Sequence, residues 1–292
     1  MEVNGNTAVY GIIGDPVAHT WSPLMQNRAL EAMRVSGMYV PFPVPPAQLG
    51  QAVAGMRALG IAGLNVTVPH KTAVMHYLDN LTKVARDIGA VNTIINHDGK
   101  LTGDNTDVYG FEMNLKIGGG LEVLPPLVAV IGAGGAARSV IYALARNIGT
   151  KEIVILNRTY ARAEKLAQEM TALTGTRCTP KQADATNFAH ELPPCGLIVN
   201  TTSVGMYPDI EVSPVPDPGV FHEGQVVCDI IYNPPGTMFL RDAALKGAKT
   251  IDGLAMLAYQ GARSLSLWTG RNAPAEVMLQ ALREQLVNGY SG

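Results

Sequence analysis

The amino-acid sequence predicts an α/β protein built from two α/β domains, and three observations carry that prediction. Short apolar runs that read as strands alternate with helical patterns along most of the chain. A glycine and proline cluster, Gly118-Gly119-Gly120 and Pro125-Pro126, separates two such series. The second series opens on an apolar run that ends in the spacing G-x-G-x-x-A, from Gly132 to Ala137. At 292 residues, the chain has room for two domains of about 150 residues each.

The first series reaches Asp107. A strand is expected over 9–13. Ser22 reads as an N-cap with Pro23 at the first helical position, and helical spacing continues over 24–33. The proline-studded stretch 39–44 suits an edge strand. A helix over 47–59 and a strand over 63–68, stopped by Pro69, follow. Short helices are expected over 74–78 and 83–88. Residues 91–96 and 100–103, joined by His97-Asp98-Gly99, read as a hairpin. Strands separated by helices argue for a mainly parallel sheet.

A helix over 109–116 leads to the linker. The second series then places strand 128–131, helix 136–147, strand 153–156 and helix 161–172. Strands over 197–200 and 226–231 come next, and 249–252 closes the sheet. Two amphipathic helices, 254–267 and 275–286, follow with no strand between them. They break the alternation and are expected to leave this domain.

Composition narrows the functions available. Apolar residues at 47% against 16% charged suit a well-filled globular core. A net charge of -2 with no basic block argues against nucleic acid and anionic membranes as partners. Cys178, Cys195 and Cys228 have no metal-ligand spacing and read as small buried apolar residues in a reducing compartment. No metal is expected. The N-terminus lacks a signal-peptide pattern, and the apolar window 127–145 is broken by glycines and Arg138. A cytoplasmic enzyme is the expectation.

The glycine loop is the clearest chemical signal. Gly132 permits a tight turn, and Gly134 lets a pyrophosphate approach the backbone. A small residue at 137 lets the helix pack close, with its N-terminus facing the phosphates. Glycines also serve ordinary turns, but the strand–turn–helix context favours a Rossmann-type dinucleotide site. A site for NAD usually carries an acidic residue about 20 positions further on. Here the strand IVIL ends in Asn157-Arg158-Thr159, followed by Arg162 and Lys165. A guanidinium can hold a ribose 2′-phosphate that a carboxylate would repel. Solvated arginines are the alternative, yet arginine at a helix start opposes the helix dipole. NADP is therefore favoured over NAD.

Four polar clusters lie elsewhere. Thr20 and Ser22 precede a helix, where Ser22 has an ordinary capping role and the pair could also receive a carboxylate. Asn65 and Thr67 share one face of a strand while Val66 and Val68 share the other, and Lys71 follows at the strand's end. Lone lysines are usually surface charges; this one is placed to move a proton. Gly89–Thr93 and Gly103–Asp107 complete the set, and Asp107 ahead of a helix is equally a plain N-cap.

Taken in order, these stretches resemble the shikimate dehydrogenase family. The run IIGDPVAHTWSP, LNVTVPHK, GAVNT and GDNTDVYGF is followed by VIGAGGAAR, NRTYARAEKLA, VNTTSVGM, DIIYNPPGTMFL and IDGLAMLAYQGARSLSLWTG. The matches span nearly the whole chain, over 9–286. The resemblance implies NADP(H)-dependent reduction of 3-dehydroshikimate to shikimate, on the route to chorismate and aromatic amino acids. It implies Lys71 as the acid/base, paired with Asp107. Thr67, Asn92 and Asp107 would bind ring hydroxyls, and Thr20 and Ser22 the carboxylate, helped by Tyr232. Gln260 would contact a hydroxyl. Gly132, Ala133, Gly134, Gly135 and Ala136 would cradle the pyrophosphate, while Asn157, Arg158, Thr159 and Arg162 would take the adenosine phosphate. Thr202, Ser203, Ile230, Gly253 and Met256 would line the ribose and nicotinamide.

If Gln260 reaches the substrate, the catalytic domain is discontinuous: 1–107 plus 253–292, with 108–252 as the cofactor domain and a cleft between them. The oligomeric state stays open, with a homodimer as one expectation. One departure stands out, because the family's serine-x-serine pair is here Thr20 and Ser22, whose extra methyl stiffens that hydroxyl. A quinate-using relative is the nearest rival. A module that senses NADP(H) without turnover and a folate-linked dehydrogenase are more distant ones. Whether Lys71 or Asp107 takes the proton in alcohol oxidation is left open by the residues.

Overall fold

In the computed structural model, which describes residues 3–121, 123–148 and 150–289, the chain divides into two compact units. One comprises Met1–Gly110 and Leu257–Gly292, the other Phe111–Met256.

The first unit begins with β1 (Ala8–Gly14), α1 (Ser22–Ala32), β2 (Gly37–Pro43), α2 (Leu49–Ala58) and β3 (Gly63–Val66). It continues through β4 (Asn80–Leu81), α3 (Lys83–Ile88), β5 (Thr93–His97) and β6 (Lys100–Asp104). Its six strands run β2-β1-β3-β5-β6-β4. Pro41 and Pro43 cannot donate to a ladder, and β2 lies at the sheet edge where that costs least. β1 is parallel to β2 and β3, and β4 to β6, but β5 is antiparallel to both β3 and β6. The antiparallel pair follows from the short turn at Asp98 and Gly99, both with positive φ. Ile13, Val53, Met56, Leu64, Ile94 and Leu101 fill the core on one face.

α4 (Asp107–Met113) runs on as a π-helical turn, Asn114–Gly118. The second unit then follows the alternation closely: β7 (Leu127–Ile131), α5 (Gly135–Tyr142), β8 (Glu152–Asn157), α6 (Tyr160–Thr174), β9 (Arg177–Gln182), α7 (Ala185–Glu191), β10 (Leu197–Asn200), β11 (Val226–Asp229), α8 (Met238–Leu245) and β12 (Lys249–Ile251). Every pairing is parallel, in the order β12-β11-β10-β7-β8-β9. From β7 the chain winds outward one way to β9 and then returns beside β7 to wind the other way. This is the Rossmann-type order, whose switch point between β7 and β10 is where such sheets bind ligands.

β9, α7 and α8 have no counterpart in the sequence expectation. β9 is a half-exposed edge strand containing Pro180, so it lacks an apolar run. α7 buries only Phe188, and one residue makes no periodicity. α8 buries Phe239, Leu240 and Ala243 in eight residues, too few for a helical stripe to stand out.

The chain ends with α9 (Leu254–Thr269) and α10 (Ala275–Gly289). Gln260, Ser264 and Trp268 recur at intervals of four and so share one face of α9. Trp268 anchors that face: its ring stacks on Tyr10 at 5.3 Å, and its Nε1 donates to Ile94 O at 2.9 Å. A side chain at position 63 would occupy the indole's place, which is why β3 begins with glycine. Among the described residues, no helix is long and apolar enough to cross a membrane.

Candidate active site and cofactor loop

In the first unit, four polar stretches separate in sequence meet. Lys71 Nζ donates to Asp107 Oδ2 at 2.6 Å, with the two side chains 18% and 6% exposed. That burial leaves the pair far less screened than an ordinary surface ion pair. Asn92 Nδ2 donates to the other carboxylate oxygen at 2.7 Å and to Gln260 Oε1 at 3.3 Å. The Asn92 amide can point only one way, because its Oδ1 accepts from Thr106 N at 2.7 Å and Thr93 Oγ1 at 2.9 Å.

Asp107 does not cap its helix, contrary to the structural alternative read from the sequence. It is the first residue of α4, and Asn105 Oδ1 takes its N–H at 3.1 Å. With that turn closed by Asn105, both Asp107 oxygens are left for Lys71 and Asn92. Ser22 is not an N-cap either. α1 starts at Ser22 with no side-chain cap, because Thr20 Oγ1 accepts the Ser22 N–H and donates to Ser22 Oγ, each at 3.2 Å. The two hydroxyls thus form one pair at a helix start. Thr67 is half-buried just past β3, its N–H held by Ile13 O at 2.9 Å. The strand alternation stops there: Val66 is buried, but Val68 is 67% exposed.

Behind this group lies a buried polar layer absent from the candidate residues. Tyr39 Oη donates to Asn65 Oδ1 at 2.8 Å, and Asn65 Nδ2 donates to Ser264 Oγ at 3.0 Å and to Asn92 O at 3.1 Å. Ser264 Oγ also lies 2.8 Å from Thr93 Oγ1 and 3.0 Å from Thr106 Oγ1. These residues tie α9 and Gln260 to the strands carrying Asn92 and Thr106. Only the strand alternation that aligned Asn65 with Thr67 hinted at this layer.

In the second unit, the glycine loop has the shape its spacing requires. Gly132 has a φ of 113°, and a Cβ there would lie 2.5 Å from Thr201 Oγ1. Position 134 faces open space. Gly134 caps α5 without a side chain, so the helix's first N–H groups have no side-chain acceptor. Ala137 is fully buried, which lets α5 pack closely. A pyrophosphate fits this cradle: Ala133, Gly135 and Ala136 present backbone with small side chains, and the helix N-terminus favours an anion.

Arg158 and Arg162 are exposed, and neither forms an ion pair among the described residues. Asn157 Nδ2 closes the turn onto Thr159 O at 2.9 Å. Thr202 is half-buried and Ser203 exposed in the turn after β10. Ile230 and Tyr232, both half-buried, follow β11. A Cβ on Gly253 would overlap Ile230 O, so the chain comes this close there only with glycine. Buried Met256 donates its N–H to Asn114 Oδ1 at 3.1 Å.

Asp229, at the end of β11, is fully buried. Burial pushes its carboxyl up to about 6 from an ordinary 3.8, although hydrogen bonds from Ile231, Thr237 and Asn200 pull the other way. The folded state therefore holds this proton at pH values where the unfolded state has lost it. The resulting stabilisation is complete below about pH 4 and is lost as pH rises through 6, up to about 3 kcal/mol over the full titration. Denaturant unfolding of parent and Asp229→Asn across pH 4–7 should show the parent losing stability relative to the variant. Parallel pH curves would contradict this.

Known proteins resemble this chain along nearly its whole length. Residues 12–94 match the family described as the shikimate dehydrogenase substrate binding domain. Residues 123–185 match shikimate / quinate 5-dehydrogenase, and 253–283 the shikimate 5'-dehydrogenase C-terminal domain. The shikimate dehydrogenase (NADP(+)) of Methanopyrus kandleri is 43% identical over 286 residues, covering 98% of both chains. The chain belongs to the shikimate dehydrogenase family. The Symbiobacterium thermophilum shikimate dehydrogenase (NADP(+)) is 45% identical, over 95% of this chain and 94% of the relative. Among solved structures, the shikimate 5-dehydrogenase of Thermus thermophilus, in complex with NADP(H) and shikimate, superposes with a TM-score of 0.83. It is 38% identical, with 95% of this chain and 99% of that one covered.

Proposed function

We propose that this member of the shikimate dehydrogenase family catalyses the reversible, NADPH-dependent reduction of 3-dehydroshikimate to shikimate, in the biosynthesis of chorismate and aromatic amino acids. The observation that carries the reading is the Lys71–Asp107 contact of 2.6 Å, with Asn92 and Gln260 beside it. Shikimate is a small carboxylate with three hydroxyls, and its site must offer several side-chain hydrogen bonds. The first unit supplies them: Asn92, Asp107, Gln260 and Thr67 for hydroxyls, and the Thr20–Ser22 pair for the carboxylate. Substrate recognition belongs to this unit and the cofactor to the second.

When bound, NADPH supplies the hydride. Lys71 gives a proton to the carbonyl oxygen as that oxygen gains charge, and its ammonium stabilises the developing anion. Asp107 holds the ammonium in place, and Asn92 holds Asp107. The glycine cradle from Gly132 to Ala136 would bind the pyrophosphate, and Asn157, Arg158, Thr159 and Arg162 the adenosine phosphate. Thr202, Ser203, Ile230, Gly253 and Met256 would line the ribose and nicotinamide.

Thr20 in place of the family's serine keeps broader shikimate and quinate use as the second reading. Steady-state oxidation of shikimate and quinate, each with NADP and with NAD, separates the two. The highest kcat/KM is expected for shikimate with NADP. Equal or better turnover of quinate with NAD would overturn the proposal.

A further inference from the structure

Two turns in the second unit leave the sheet side by side, and one buried carboxylate joins them. β10 and β11 are parallel neighbours in which Asn200 and Asp229 are register partners at the last position of each strand. Neither side chain, nor that of Thr237, has any solvent exposure. Asp229 Oδ1 accepts from Asn200 Nδ2 and from Ile231 N, both at 3.1 Å, and Oδ2 accepts from Thr237 Oγ1 at 2.7 Å. On the other side, Asn200 Oδ1 accepts from Thr202 N at 3.0 Å and Thr202 Oγ1 at 2.8 Å. A chain of hydrogen bonds thus runs from the 201–203 turn through Asn200 and Asp229 to the peptide between residues 230 and 231. It ends at Thr237, which caps α8.

A carboxylate can only accept, so it forces every neighbour to donate. Thr237 must turn its hydroxyl proton toward Asp229, which leaves its oxygen to accept the Leu240 N–H. Asn200 must present its amide nitrogen to Asp229 and its oxygen to Thr202. An asparagine at 229 would fill the same volume but offer one acceptor oxygen where there are now two. No basic side chain bonds to Asp229 among the described residues, and burying a charge that way works against stability. A charge buried at that cost holds both turns through two acceptor oxygens, which a neutral side chain of the same size does not offer.

We propose that Asp229 is a positioning residue that, through Asn200 and the Ile231 amide, sets the 201–203 and 230–232 turns against each other to receive the nicotinamide half of the cofactor. This rests on the cofactor reading above, which assigns Thr202, Ser203 and Ile230 to that half. The adenosine half lies at the other side of the switch point, on the turn after β8, and makes no use of the brace.

The experiment compares two probes, NADPH and adenosine 2′,5′-bisphosphate, which carries the adenosine half alone. Dissociation constants are measured for the parent, Asp229→Asn and Asp229→Ala. Asp229→Ala should weaken NADPH at least tenfold, and Asp229→Asn at least threefold. Both should bind the bisphosphate within twofold of the parent. Equal weakening of both probes would mean a merely structural role and overturn the proposal, as would NADPH binding within twofold of the parent in both variants. Should the alanine variant fail to fold, Asp229→Asn decides alone by the same thresholds. A parent that bound neither probe would instead sink the cofactor reading.

Discussion

Lys71→Ala is expected to lower kcat by at least about a thousandfold in both directions, with NADP affinity within twofold of the parent. A positioned general acid contributes roughly 10²–10⁴ in rate, and in the proposed mechanism the Lys71 ammonium also stabilises the oxygen that becomes charged. The cofactor's expected contacts all lie in the second unit, so the loss should fall on kcat. Removing the ammonium also leaves Asp107, only 6% exposed, without its cation. Breaking such a pair costs on the order of 3–5 kcal/mol, so thermal unfolding must be measured beside activity. The double variant Lys71→Ala/Asp107→Asn removes the orphaned charge. It should recover stability without recovering turnover. A small primary amine added to Lys71→Ala should restore part of the rate, since the deletion leaves room for it. Near-normal kcat in Lys71→Ala would refute the acid/base assignment.

Arg158→Ala should raise KM for NADP by roughly 10- to 100-fold while leaving KM for NAD within about twofold. Charge-assisted hydrogen bonds to a phosphate contribute about 1.5–3 kcal/mol, which sets that range. The side chain is exposed and without an ion pair among the described residues, so its loss should change stability by less than about 0.5 kcal/mol. Arg162→Ala should have a smaller effect in the same direction, because it sits in the first turn of α6, while Arg158 lies in the turn that precedes the helix. The effect should shrink as salt rises, since both guanidinium groups are solvated. Initial rates with each cofactor at low and high ionic strength test all three statements. Equal losses with NADP and NAD would show that Arg158 shapes the turn and does not read the phosphate.

Each of these residues could be named before any coordinates, because local chemistry marks them. A glycine spacing after a strand, an arginine where an acid is usual, and a lysine at the end of a strand are visible in short windows. The same holds for most strands and helices of the second unit: the central strands are apolar runs buried along their length, and α6 shows a helical stripe. Elements that bury little, such as β9 and α7, escape for the same reason, as does the two-residue β4. Mixed pairing in the first sheet also lies outside such windows: β5 is antiparallel to β3, and alternation alone does not set strand direction.

The sequence by itself determined the α/β class, the dinucleotide loop, the preference for NADP and the residue types of the site. Each of these depends on neighbours within a few positions. Only tertiary structure decided which of those residues act together. Lys71 and Asp107 are 36 positions apart, and Asn92 and Gln260 are 168 apart. Whether Asp107 caps a helix or holds a lysine turns on where α4 begins: Asp107 is its first residue, and Asn105 Oδ1 accepts the Asp107 N–H. The buried links of Tyr39, Asn65 and Ser264, and of Asn200 with Asp229, are likewise set by strand register and by α9 lying on the first sheet. Hydrogen bonds between buried side chains depend on distances in space, and those are fixed when the core packs.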